Sequence, residues 1–100
     1  MIKIKIDEKN KKIARITVSG HANFAELGED IVCASVSSIV ITTVNALIKL
    51  DENSVEYLEK DGLVDLKILN NNKPTEILVL NMIELLKELE NQYPKNIKIK

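Results

Sequence analysis

One cysteine, one histidine, three glycines, two prolines and no tryptophan occur in the 100 residues of this chain, and each scarcity closes off a class of protein. A lone thiol cannot form an internal disulfide, which excludes a disulfide-stapled secreted scaffold and points to a reducing compartment. With only 3% aromatic residues, little is available to stack on nucleic acid bases. Charge of one sign is also missing: 14 Lys+Arg against 15 Asp+Glu leave a net charge of -1, so no overall field draws phosphate backbones or anionic lipid. The expectation is no direct nucleic acid partner. No run approaches the roughly 20 apolar residues of a membrane span. The N-terminus alternates isoleucine with lysine, whereas a secretory signal places a continuous apolar segment behind a basic start. A cytoplasmic protein without a membrane partner follows as the expectation. Phosphate-binding glycine loops, a serine-nucleophile elbow and a dinucleotide fingerprint are absent. One histidine and one cysteine would need Glu26, Glu29 or Asp30 to complete a zinc site, an unusual ligand set. Neither a metal nor a cofactor is expected.

What is present reads as one folded domain over residues 1–100, with 45% hydrophobic and 29% charged residues and no internal repeat. Ile2, Ile4 and Ile6 alternate with Lys3 and Lys5, the period of a half-buried strand, and Ala14, Ile16 and Val18 alternate after a polar stretch, so the first twenty residues predict a hairpin. From Asp30 to Leu50 the β-branched run resembles a strand. Its length without Gly or Pro, and the helical spacing of Val32, Val36, Ile39, Val40, Val44 and Leu47, predict a helix instead. Ile31, Ile41 and Ile48 fall off that stripe among small residues, which suggests cover on a second side, such as another subunit. Asp61-Gly62 suits a tight turn between strands Ser54 to Lys60 and Leu63 to Leu69. Pro74 suits a helix start, followed by Leu78, Val79, Met82, Leu85, Leu86 and Leu89 on one face, with Pro94 as the stop. Ile97-Lys98-Ile99 could join the sheet of the first strand. The order ββαββαβ is that of an α+β fold, two helices packed on a mostly antiparallel or mixed sheet.

The rare residues fall together. His21 follows the second strand and Cys33 stands near the start of the first helix, with Gly20 and Gly28 around the intervening loop. A thiol beside an imidazole is a nucleophile and base pair. Taken as N-cap, Asp30 would put Cys33 in the first turn, where free N–H groups and the helix dipole favour a thiolate. Asp30 could alternatively orient His21. Ser37 lies one turn beyond Cys33, placed either to donate to a substrate or to back-bond to the helix. A buried structural cysteine and a surface histidine are the bland alternative.

Gly20-His21-Ala22, then Gly28, then Asp30-Ile31-Val32-Cys33-Ala34-Ser35-Val36-Ser37, resembles the ribosomal-processing cysteine protease (Prp) family of bacteria. The likeness extends over the whole chain, including the Tyr93-Pro94 stop before a final strand; Ser35 stands where the family often has alanine. The resemblance implies a cysteine endopeptidase that removes an N-terminal extension from a large-subunit ribosomal protein, and a homodimer. It also implies a catalytic pair at His21 and Cys33, supporting roles for Asp30 and Ser37, and a flexible loop shaped by Gly20, Ala22 and Gly28. A non-catalytic ribosome-associated binding module is the rival reading. A redox sensor ranks below it, since the chain has no resolving cysteine.

Overall fold

The structure is a computed structural model that describes residues 1–20, 27–60 and 62–100, residues 27–30 by their backbone alone. Its order is β1 (Ile2–Lys9), β2 (Lys12–Ser19), α1 (Leu27–Leu50), β3 (Val55–Lys60), β4 (Leu63–Ile68), α2 (Lys73–Gln92) and β5 (Ile97–Ile99). The expected ββαββαβ arrangement is present. The five strands form one sheet in the order β3-β4-β2-β1-β5, antiparallel except for the β1–β5 pair.

Strand pairing follows from turn chemistry and alternation. The first hairpin closes on Asn10 and Lys11, both at positive φ (54° and 67°), as a two-residue turn matching the strand twist requires. Its strands run further than alternation alone suggests, because the charged residues Asp7 to Lys9 stay in the ladder up to Lys9↔Lys12. An irregularity between Asp7 and Glu8 shifts the register, so Ile13 packs on the core along with Ile16 and Val18. Gly62, at φ 72°, supplies the left-handed position between β3 and β4.

Both helices cover the face to which Ile2, Ile4, Ile16, Val18, Leu66 and Ile97 point, all essentially buried. From α1 come Val32, Val36, Val40, Val44 and Leu47, the stripe expected from spacing, with Ile39 half-buried. From α2 come Val79, Met82, Ile83, Leu86 and Leu89; Leu85, expected on that face, is exposed, and Ile83 takes its place. Each fully buried aliphatic side chain contributes about 1.5–3 kcal/mol. Asn72 caps α2, its side-chain oxygen accepting from Thr75 N–H at 3.1 Å, with Pro74 in the first turn. At the far end Ser54 is fully buried, and its hydroxyl donates to Leu47 O at 3.1 Å while its carbonyl accepts from Leu69 N–H and Asn70 N–H. That one residue ties the end of α1 to β3 and to the end of β4.

One sequence expectation fails here. Ile31–Leu50 has a mean hydropathy of 2.1 and is long and apolar enough to cross a membrane by length and composition. Its valine stripe is the core of the domain. Its outward residues include Ile31, Ile41 and Ile48, exposed by 50%, 45% and 43%. Among the described residues nothing covers the other face of the sheet. Across it Arg15 grips Asp65 with two hydrogen bonds, of 2.8 and 2.7 Å, which hold the Asp65 carboxyl below its ordinary value and the guanidinium above its own.

Candidate active site

The start of α1, the end of α2 and the β1, β2 and β5 ends nearest them share one pole of the domain. Residues Ala34, Ser35, Ser38 and Ile39 of α1 border a groove of about 500 Å³ with Leu85, Glu88, Leu89 and Gln92 of α2, so the two helices run antiparallel. After α2 a short turn delivers Asn96 O to Ile2 N–H at 2.9 Å and starts β5 beside the first residues of β1. Lys3 pairs with Ser19 at the end of β2, and Gly20 follows. The chain therefore enters residue 21 at the pole where α1 begins.

Cys33 is half-buried and packs against the core. With about 100° of rotation per residue, Cys33 and Ser37 share a flank of α1 opposite the one bordering α2. That flank faces the half of the sheet carrying β3, the strand against which α1 packs. Ser37 is half-buried too. Back-bonding to helix carbonyls falls to Ser35, whose hydroxyl donates to Ile31 O at 2.9 Å, and to Thr43, which donates to Ile39 O at 2.9 Å; Ser37 makes no hydrogen bond to a described residue. Its hydroxyl is thus available one turn from the sulfur.

The helix start differs from expectation. α1 opens at Leu27, so Asp30 is inside the first turn and not the N-cap, and Gly28 belongs to the helix and does not close the loop. Cys33 then sits in the second turn, where the helix already satisfies its N–H. Since the dipole effect fades beyond the first turn, a thiolate there depends more on a neighbouring imidazole than the sequence suggested. The free N–H groups belong to the first turn, Leu27 to Glu29, more than one turn before Cys33. His21 and Ala22 lie outside the described residues, as does the side chain of Asp30, so the pairing of imidazole with thiol is not among the described geometry.

Gly20 is held firmly. Its φ is +91°, and a Cβ built on it would stand 2.2 Å from Met1 O. Its N–H donates to Gly62 O at 3.2 Å. The glycine expected to shape a flexible loop is therefore wedged between the first residue of the chain and the β3–β4 turn. Met1 and Gly62 were not legible as parts of this pole, because nothing local in their sequence marks the contact. Among the described residues no group of His, Cys, Asp or Glu could hold a metal ion.

The chain is matched over residues 1–98 by a family model described as the cysteine protease Prp. It is 33% identical over 97 residues to the ribosomal processing cysteine protease Prp of Bacillus subtilis, covering 90% of this chain and 87% of that protein. Its fold is similar to the crystal structure of an essential ribosomal processing protease Prp from S. aureus in complex with a substrate peptide. The TM-score is 0.92 at 28% identity, over 100% of this chain and 98% of that one. It is similar also to the same S. aureus protein with a covalently linked product peptide, with a TM-score of 0.88 at 29% identity and the same coverage.

Proposed function

Because the chain belongs to the Prp family of cysteine proteases, we propose that it removes an N-terminal extension from a large-subunit ribosomal protein, using Cys33 as nucleophile and His21 as base. The observation that carries this reading is the placement of the thiol: half-buried on the flank of α1 that faces the β3 half of the sheet, with the Ser37 hydroxyl one turn away, at the pole where β2 hands the chain to His21.

In this mechanism His21 takes the proton of Cys33, and the sulfur attacks the scissile carbonyl. Free N–H groups at the start of α1 receive the oxyanion. As the tetrahedral intermediate collapses, the C–N bond breaks, the imidazolium protonates the leaving amine, and a thioester remains. Water, deprotonated by His21, then cleaves the thioester, releasing the new carboxylate and regenerating the thiol. Asp30 serves as a positioning residue for the pair, Ser37 donates to the bound peptide, and the substrate segment lies extended along the sheet beside Cys33. The enzyme works as a homodimer in the cytoplasm. Support for the dimer is the contiguous exposed stripe of Ile31, Ala34, Ser38, Ile41, Asn45 and Ile48 along α1, uncharged throughout and apolar at four of its six positions.

The test is incubation with an N-terminally extended large-subunit ribosomal protein and measurement of product mass. Cys33→Ala and His21→Ala should each abolish cleavage and leave the thermal midpoint in place. Normal processing by the Cys33→Ala protein would refute the mechanism.

A further inference from the structure

The uncovered sheet face holds a repeated pattern that whole-chain charge conceals. Ser19, Lys3 and Lys98 stand side by side across β2, β1 and β5, in the registers Lys3↔Ser19 and Lys3↔Lys98. One step along, Thr17 pairs with Lys5. Lys100 lies opposite Lys5, its N–H donating to Ile4 O at 2.8 Å and its carbonyl accepting from Ile6 N–H at 3.1 Å. Each row is thus a hydroxyl followed by two lysines, and all four lysines are exposed. Neighbouring strands are about 5 Å apart and alternate residues about 7 Å. Lys3, Lys5, Thr17, Ser19 and Lys100 border a depression of about 380 Å³.

These charges are poorly neutralised. Lys5 approaches Asp7 at 3.8 Å, an exposed and weak pair. The other acids on this face are engaged elsewhere, Asp65 with Arg15 and Glu56 opposite Lys67. Lys3, Lys98 and Lys100 have no carboxylate partner among the described residues. Like charges directly opposite each other across strands are destabilising, and protection of a sheet edge does not account for Lys3 and Lys5, which are paired on both sides. A ligand with closely spaced negative charges offsets that repulsion.

We propose that the β1–β5 half of this face binds the phosphate backbone of RNA. Lysine is a point-charge phosphate binder, whereas planar carboxylates favour the arginine fork, and serine and threonine hydroxyls donate to phosphate oxygens. With aromatics at 3% of the sequence, the contact is to backbone and independent of base sequence. The choice of RNA rests on the proposed function, since a ribosomal protein substrate is met in an RNA-rich particle. The surface would hold the enzyme near its substrate without taking part in cleavage.

Anisotropy of a labelled mixed-sequence single-stranded RNA tests this. Engagement of about three phosphates gives a slope of log affinity against log salt near -2, hence about tenfold weaker binding between about 50 and about 150 mM salt. The Lys3→Gln/Lys98→Gln variant should flatten that slope by about 1.4, at about 0.7 per lost phosphate contact. Lys60→Gln/Lys67→Gln, at the other side of the sheet, should leave it unchanged. No binding by the parent at low salt, an unchanged slope in the first variant, or equal lysine-dependent binding of polyglutamate would each overturn the proposal. Cleavage of a free peptide, expected at the parental rate in the Lys3→Gln/Lys98→Gln variant, also confirms its fold. Because cleavage is scored without RNA and binding without substrate, the two readings fail separately.

Discussion

Replacing Gly20 by alanine should damage both stability and catalysis. A side chain at φ +91° costs about 1–2 kcal/mol from left-handed sterics alone. The added Cβ would also stand 2.2 Å from Met1 O and 3.2 Å from Met1 C, against about 3.3 Å or more for an ordinary carbon–oxygen contact. Roughly 1 Å must therefore be opened. The Met1–Ile2 peptide cannot give way cheaply, because Ile2 is fully buried and its N–H is bonded to Asn96 O at 2.9 Å. A total near 3 kcal/mol corresponds to a fall of roughly 12–24 °C in the unfolding midpoint of a domain this size. Since His21 is the next residue, the displacement should also lower the cleavage rate at temperatures where the variant is fully folded. Calorimetry and a peptide cleavage assay on the same preparation measure both. A midpoint within about 2 °C of the parent, with undiminished cleavage, would refute the reasoning.

Asp65→Asn should lower stability at neutral pH. Arg15 depresses the folded-state pKa of Asp65 below the ordinary 3.8, so the stabilisation is present above that value and is lost as pH falls through the lower folded one. The gap between parent and variant midpoints should close below about pH 4; a gap constant with pH would be contrary. Ser54→Ala removes one of two donors to Leu47 O, leaving the Asp51 N–H at 3.0 Å, and should cost about 0.5–1.5 kcal/mol in urea unfolding, with no change in KM. Ile41→Asp, on the outward stripe of α1, should convert a dimer to a monomer in sedimentation with the fold retained; a monomeric parent, or a variant still dimeric, would count against the α1 interface.

Much of the fold was legible because one face of each element is buried. The valine spacing of α1 overrode its β-branched composition, and the exposed isoleucines were identifiable as residues off the stripe. The start of α1 was not legible, since Gly28 lowers helix propensity by about 1 kcal/mol while Asp30 is a good cap by composition; the first turn tolerates the glycine and the helix begins earlier. Sheet order was hidden for a different reason. The β2–β4 and β1–β5 pairings join residues distant in sequence, and no local signal specifies them. The candidate site was legible as residue types, through the only His and Cys, but not as geometry: the second-turn position of Cys33 and the fixed Gly20 depend on packing. The hydroxyl–lysine–lysine rows likewise exist only once strands from both termini are in register.

That register has a consequence for when the enzyme can first work. β1 is the earliest strand made and β5 the latest, yet β5 lies against the opening residues of β1, beside the carbonyl that wedges Gly20. During synthesis, which proceeds at about 5–20 residues per second, the hairpins and α1 can assemble while this pole still lacks its last strand. A nascent chain would carry Cys33 in an unfinished setting. Proteolytic competence would then be a property gained only once β5 has docked on β1.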